Sequence, residues 1–175
     1  MSIFASDPSG SRTEVFTFET LPAGLAQLQA LPEAALTSPF ATAALSLAAL
    51  ACYGRTPEAA LKMLDFLKGP EPLSPFEKQF IRDRLKDKDY KILSYFDGAV
   101  PENGYTPAAP YRIRVSANPY SFPEENWATL FVTSGGADSP RQIRLRRKPS
   151  TNQWFLVELQ CLSDIRVPAA ADPWA

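Results

Sequence analysis

The chain has 175 residues, of which 45% are hydrophobic and 21% charged, and its formal net charge is −1. This length and composition are typical of one globular domain with its own core, and they exclude a largely disordered chain. A net charge so close to zero argues against a protein built to hold nucleic acid or an acidic membrane surface.

The sequence contains no histidine. This excludes Ser-His-Asp and Cys-His nucleophile systems, histidine general bases and histidine metal sites. Carboxylates, lysine and tyrosine remain available as catalytic groups, but no recognisable catalytic motif contains them. The sequence therefore favours a protein that is not an enzyme, and we expect neither a metal nor another cofactor.

The N-terminal residues have neither the basic start nor the apolar core of a signal peptide. The most apolar stretch, 39–53, is too short to cross a bilayer and is typical of a buried helix. Cys52 and Cys161 lie in apolar surroundings, so we expect two buried free thiols, as in a reducing compartment. Together these features predict a cytoplasmic protein.

In chain order, the sequence predicts a flexible tail over 1–13 and a single α+β domain over 14–175. Within that domain we expect helices at about 20–88, a loop at 89–110, a sheet at 111–160 and a second tail at 161–175. Residues 15–18 alternate in polarity and predict a short edge strand before the helices.

Hydroxyl residues followed by proline mark the helix starts. Ser38, Thr56 and Ser74 each stand at an N-cap position before a proline, and Ser74 is followed by Glu77 in the spacing of a capping box. Gly69 follows the third apolar stretch and predicts a helix end. The predicted helices are 21–31, 39–53, 57–68 and 75–87.

Prolines and an Asn-Gly pair interrupt residues 89–110, which predicts a long ordered loop. Four aromatic side chains are expected to anchor it, namely Tyr90, Tyr95, Phe96 and Tyr105. Beyond it, alternating polarity predicts strands at 111–117, 126–133, 141–148 and 153–160. Their connections are short enough to require antiparallel neighbours. The predicted architecture is an α+β fold with about four helices packed on a four-stranded antiparallel sheet.

Period two along these strands sorts the side chains onto two faces. One face is apolar and is expected to pack against the helices. The residues predicted to be buried between helices and sheet include Leu47, Leu64, Phe80, Ile143 and Phe155.

The other face collects arginines and aromatic residues, which are the candidate binding residues of the chain. They are Arg112, Arg114, Trp127, Phe131, Arg144, Arg146 and Trp154. Such a composition suits the stacking of planar or anionic ligands. Three alternatives stay open: the side chains cover one another across strands, the 89–110 loop lies over them, or the face is a protein interface.

Two further segments carry weaker indications of a site. Ser134, Gly135 and Gly136 offer backbone N–H groups that suit an anion nest, but the segment links two strands, so turn geometry alone requires the glycines. Asp164 is expected to pair with an arginine of the basic face or to cap a turn.

Several phrases occur together in the chain: GPEPLSPFEKQF at 69–80, ENGYTP at 102–107, SGGADSPR at 134–141, KPSTNQWF at 148–155, LSDIR at 162–166 and DPWA at 172–175. With these phrases the chain resembles, over roughly 40–175, a family of small bacterial proteins classed only as a domain of unknown function. The resemblance implies a bacterial, cytoplasmic setting and brings no activity or site residue.

From these observations we expect a non-catalytic binding or protein-interaction module that engages a protein partner or a second copy through the outer sheet face or the C-terminal tail. The alternative is a binder of, or an enzyme acting on, a small anionic or planar ligand at the arginine and aromatic face. Membrane and nucleic acid are not expected among its partners.

Overall fold

A computed structural model describes residues 2–6 and 11–175 of the protein. The fold is α+β, with a six-stranded antiparallel sheet in the order β1-β2-β3-β4-β5-β6 and helices on one of its faces. The strands are β1 Ser2–Ser6, β2 Arg12–Phe18, β3 Tyr111–Ala117, β4 Trp127–Val132, β5 Arg141–Lys148 and β6 Gln153–Leu159. The helices are α1 Leu25–Gln29, α2 Pro39–Leu50, α3 Pro57–Lys68, α4 Pro75–Leu85 and α5 Tyr90–Leu93, with 3₁₀ turns at Pro32–Ala35, Pro101–Asn103 and Ala169–Ala171.

The predicted strand number is wrong, because two strands precede the helices. β2 pairs with β3 along its whole length, from Arg12 opposite Ala117 to Phe18 opposite Tyr111, and β1 pairs with β2. Pairing partners about a hundred residues apart leave no mark in the local pattern. The buried Glu14 also interrupts the apolar alternation of β2, which is why only its second half was visible in the sequence.

The flexible tail predicted over 1–13 is accordingly wrong for 2–6 and 12–13, which form these strands. β2 is not an edge strand either, since β1 lies on its other side. Residues 1 and 7–10 of the predicted tail lie outside the described residues.

Helix α2 is the centre of the molecule, and all of its residues are buried. It packs against the sheet on one side and against α3 on the other. Its many alanines permit this close approach, and its two hydroxyls are hydrogen-bonded: Thr42 Oγ1 donates to Trp154 O at 2.8 Å, and Ser46 Oγ donates to Thr42 O at 2.8 Å. None of the helices among the described residues has the length and apolar character needed to cross a membrane.

The helix-start rules are confirmed at Ser38, whose hydroxyl accepts from Ala41 N, and at Ser74, which forms the predicted capping box with Glu77. Thr56 precedes α3 without a side-chain cap. The first predicted helix is wrong in extent, since 21–31 contains only α1, and the last ends two residues early. A 3₁₀ turn beginning at Pro32 takes over soon after α1.

Residues 89–110 form an ordered segment that contains α5 and a 3₁₀ turn rather than loop alone. Strands β3 and β4 pair only at their ends, and this segment fills the gap between them. Phe96 bridges to Ile113, and Gly135 N donates to Ser94 O at 2.8 Å on the other side. Tyr95, Phe96 and Tyr105 are buried anchors, as the sequence predicts. The segment therefore belongs to the core.

Strand β6 contains a β-bulge at Val157. Ile143 pairs with Leu159, but Leu145 pairs with Leu156, so one residue of β6 has no partner. An extra residue reverses the faces of everything before it. For this reason Trp154 and Leu156 lie on the helix side of the sheet, while Phe155 lies on the outer face opposite Arg146. The predicted placements of residues 154–157 are thus wrong.

The core prediction holds for Leu47, Leu64 and Ile143, which are fully buried. It is wrong for Phe80, whose side chain is 36% exposed, and for Phe155, which is half-buried. Both residues lie in the region where β6 meets α4, and this region contains two cavities.

Candidate functional site

Six of the seven predicted binding residues lie on the outer face of the sheet: Arg112, Arg114, Trp127, Phe131, Arg144 and Arg146. The seventh, Trp154, lies on the helix side of the sheet because of the bulge, and it packs toward the core. The helices among the described residues pack on the opposite face, and the six side chains of the outer face are half-buried or exposed.

Most of the charge on that face is already engaged within the chain. Arg144 and Arg146 lie 5.3 and 4.9 Å from the centre of the Trp127 ring, and Arg144 approaches Glu158 at 3.6 Å. Arg114 makes a bidentate contact with Asp97, with its shorter bond at 2.9 Å. These contacts favour mutual cover across strands over an open anion-binding surface.

A groove runs between α4 and β6, with a volume of about 440 Å³. Helix α4 places Phe76 and Phe80 one turn apart on the groove side, while Ile81 and Leu85 point into the core. From the sequence these four residues form one apolar face, and the structure divides them between core and groove. We call this the α4–β6 groove; its apolar lining is Leu73, Phe76, Phe80, Ile81, Leu156, Val157, Leu159 and Leu162.

Its aromatic side chains are exposed to an unusual degree for their size. Phe76 is 78% exposed and Phe80 36%. Arg84 covers part of the Phe80 ring, with its guanidinium 4.9 Å from the ring centre. One turn separates each of these residues from the next, so α4 presents a continuous stripe along the groove.

Lys68 closes the inner end of the groove and is itself buried. Its ammonium donates to Glu77 Oε2 at 2.8 Å and to Val157 O at 3.1 Å, so it joins the end of α3, the start of α4 and the bulge of β6. Burial alone would raise the pKa of Glu77, but the hydrogen bonds from Lys68 and from the Ser74 backbone outweigh it and hold that pKa below its ordinary value.

A second cavity of about 290 Å³ lies beyond Lys68, between the turn after α3 and the ends of β4, β5 and β6. Phe155 forms one wall, and its ring lies so close to Gly69 that a Cβ there would overlap it. We call this the cationic cavity; its charged and aromatic lining is Lys68, Glu71, Trp127, Arg146, Arg147, Lys148 and Phe155. The cavity was not predicted from the sequence, because it is formed by the bulge of β6 and by the turn after α3, which lies outside the sheet.

The Ser134-Gly135-Gly136 segment is already in contact with other residues of the chain at the place where an anion nest was considered. Ser134 Oγ lies 2.7 Å from Ser94 Oγ and accepts from Gly136 N at 3.0 Å. A Cβ on Gly135 would overlap Ala99 O, and one on Gly136 would overlap the Tyr105 hydroxyl. The glycines therefore permit close packing against the 89–110 segment.

Asp164 pairs with lysines and not with an arginine side chain. Its Oδ1 lies 2.8 Å from Lys91 Nζ and 3.5 Å from Lys88 Nζ. Lys91 is 1% exposed and also donates to Arg84 O at 3.0 Å and to Leu162 O at 3.2 Å. The hydrogen bond from Lys91 lowers the pKa of Asp164, and the charges of both lysines lower it further.

The thiols are free and buried, as the sequence predicts. Burial raises the pKa of Cys161 to about 12 and also raises that of Cys52, so both are protonated at neutral pH and are poor nucleophiles. Among the described residues, no three Cys, Asp or Glu side chains are grouped so that they would hold a metal ion. The described residues thus offer two concave surfaces, and their two thiols are not activated.

The family model described as Domain of unknown function (DUF6935) matches residues 20–169. The chain belongs to this family. The resemblance to an uncharacterised family is thereby confirmed. No curated protein and no solved structure matches the chain. The match to DUF6935 includes every residue that lines the two cavities, whereas β1, β2 and the last six residues fall outside it.

Proposed function

We propose that this DUF6935 protein is a non-catalytic protein-interaction module that holds an apolar segment with an aromatic side chain in the α4–β6 groove. The observation that carries the proposal is the exposure of Phe76 and Phe80 beside an apolar cavity of about 440 Å³. Large apolar side chains gathered around a cavity are typical of interaction sites, whereas isolated ones are ordinary surface residues.

The chain itself carries an exposed segment with an aromatic side chain, and we propose this segment of a second copy as the occupant. Trp174 is 93% exposed, and Asp172 precedes it by two residues. Tryptophan is a frequent anchor of interfaces because one side chain buries a large apolar area. Arg84 beside Phe80 supplies the charge complementary to Asp172.

The expected association is weak. One tryptophan and two phenylalanines bury roughly 150 to 250 Å² each, which together lies below the ~1,200 Å² of standard stable interfaces. Part of the gain is offset by the loss of translational and rotational freedom. We expect a Kd of about 100 μM, in the range of transient contacts.

Sedimentation velocity over protein concentrations from about 20 μM to about 1 mM, a range that brackets the expected Kd, tests the proposal. The weight-average sedimentation coefficient should rise with concentration, and Trp174→Ala should abolish the rise. Tyr120→Ala is the matched control, since Tyr120 is 85% exposed and lies far along the chain from Trp174. A protein that stays monomeric throughout, or a Trp174→Ala variant that associates like the parent, would contradict the proposal.

The alternative function, a small anionic or planar ligand at the arginine and aromatic face, finds support at one corner of that face. There Trp127 and Arg146 line the cationic cavity. Elsewhere the arginines Arg114 and Arg144 are paired with carboxylates of the same chain.

We also infer a bacterial cytoplasmic setting. Its support is the pair of free buried thiols, which suits a reducing compartment, together with the resemblance to small bacterial proteins. Fractionation of bacterial cells producing the tagged protein tests the inference, and recovery in the periplasm or the membrane fraction would contradict it.

A further inference from the structure

We propose that the cationic cavity binds a small planar anion, a flat ring that carries a phosphate group. This site adjoins the α4–β6 groove but is separated from it by the Lys68–Val157 contact. The inference therefore does not depend on the proposed interaction with a second copy.

The charge balance of the cavity favours an anion. Arg146 and Lys148 project from the outer face of β5 at its rim, and Glu71 is the acidic residue among the residues that line it. Among the described residues, no carboxylate lies within ion-pair distance of Arg146 or Lys148. Lys68 adds no net charge, because it is paired with Glu77 at 2.8 Å. Two cations against one acid leave this side of the cavity with a net positive charge, which suits an anionic group such as a phosphate.

Arg147 lies between these two cations in β5, and its side chain is held on the other face of the strand. Its Nε donates to Asn152 Oδ1 at 2.8 Å, and its Nη1 lies 3.4 Å from Asn126 Oδ1. Both asparagines have positive φ, at 55° and 69°, so they are turn residues in fixed positions. Arg147 therefore ties the start of β4 and the β5–β6 turn together beside the cavity, while Arg146 and Lys148 are the cations that meet the anion.

The walls of the cavity favour a flat ring. Trp127 in β4 and Phe155 in β6 line it from either side of β5, and Arg146 of β5 lies between them, 4.9 Å from the Trp127 ring centre. Aromatic faces and guanidinium planes both stack on planar groups. The volume of about 290 Å³ is small and suits a ligand of mononucleotide size or less.

Titration with AMP, monitored by isothermal calorimetry, tests the proposal. We expect saturable binding that weakens at least about tenfold when NaCl rises from ~50 to ~500 mM, because several charges are screened. Adenosine and inorganic phosphate, each offered alone, should bind at least about tenfold more weakly than AMP, because each satisfies only the ring or only the cations.

The double variant Arg146→Gln/Lys148→Gln should bind AMP at least about tenfold more weakly. Arg82→Gln/Lys86→Gln, in the last turn of α4 and at its C-cap, is the matched control, since it removes the same two charges from exposed positions and should leave AMP binding unchanged. Phe76→Ala should also leave it unchanged, which separates this site from the groove. Absence of saturable AMP binding up to about 5 mM, equal binding of adenosine, or equal loss in the control variant would overturn the proposal.

Discussion

Lys91 is almost fully buried, and its ammonium joins three segments of the chain. It contacts the end of α4 at Arg84 O and the segment after β6 at Leu162 O and Asp164. A buried lysine with three oxygen partners holds these segments at a fixed distance. The sequence gives no sign of this role, because Lys91 stands in a stretch with several other lysines.

Lys91→Met should lower the free energy of unfolding by about 2–4 kcal/mol, because two buried carbonyls lose a charged donor. Urea denaturation measures the change. Lys86→Met is the control, since Lys86 is exposed and should tolerate the same substitution with an effect below about 0.5 kcal/mol. Equal stability of the two variants would show that the lysine junction contributes nothing.

Asp164 should make the stability depend on pH. Because Lys91 lowers its pKa in the folded state, the carboxylate stabilises the fold at pH above its ordinary pKa of 3.8, and this contribution is lost as the pH falls through the folded-state value. Asp164→Asn should therefore be less stable than the parent near pH 6, and the difference should shrink below pH 3.8.

Thermal melts across this pH range give the comparison. The exposed Glu124→Gln substitution serves as the control and should show no such convergence. A difference between Asp164→Asn and the parent that stays constant with pH would contradict the linkage.

The 89–110 segment contacts the Ser134–Gly136 turn. Through this contact the segment closes the gap between β3 and β4. Tyr105 is fully buried there, and its hydroxyl donates to Arg166 O beside Gly136. A Cβ on Gly136 would displace that hydroxyl and leave Arg166 O without this donor. The packing between the 89–110 segment and the Ser134–Gly136 turn is therefore sensitive to a single added methyl group.

Gly136→Ala should lower the free energy of unfolding by about 1–3 kcal/mol through this overlap. Gly24→Ala is the matched control, because nothing lies within 4 Å of a Cβ at that extended position. Urea denaturation of both variants checks the prediction, and a Gly136→Ala variant as stable as Gly24→Ala would contradict it.

At the scale of elements, the helix and strand ends that depend on neighbouring residues were predicted correctly from the sequence. The caps at Ser38 and Ser74, the helix end at Gly69 and the bounds of β3 and β5 follow from neighbouring residues, and the sequence located them. The first predicted helix was too long, since the structure has a five-residue helix and a 3₁₀ turn there.

Non-local features escaped prediction for physical reasons. β1 and β2 owe their place to pairing across the helical region, which no local pattern records. The bulge at Val157 adds one residue and reverses the faces before it, which moved Trp154 out of the candidate site and Phe155 into it. The groove was missed because Phe76 and Phe80 have the spacing of core residues as well as that of a binding stripe.

At the scale of the whole molecule, the proposed contact joins unlike surfaces, a groove on one copy and a tail on the other. Such a contact either closes reciprocally between two copies or continues from copy to copy. Two variants separate the surfaces. Trp174→Ala keeps the groove and loses the anchor. Phe76→Glu keeps the anchor and loses the groove, and an acidic residue in the first turn of α4 is compatible with the helix.

Sedimentation of the two variants, alone and mixed, tests the central claim most directly. Each variant alone should remain monomeric at about 300 μM, because each lacks one half of the contact. The equimolar mixture should form a heterodimer and nothing larger, with a Kd of about 100 μM, since one intact groove meets one intact tail. A mixture that stays monomeric while the parent protein associates, or variants that associate alone, would show that Trp174 does not bind in the α4–β6 groove.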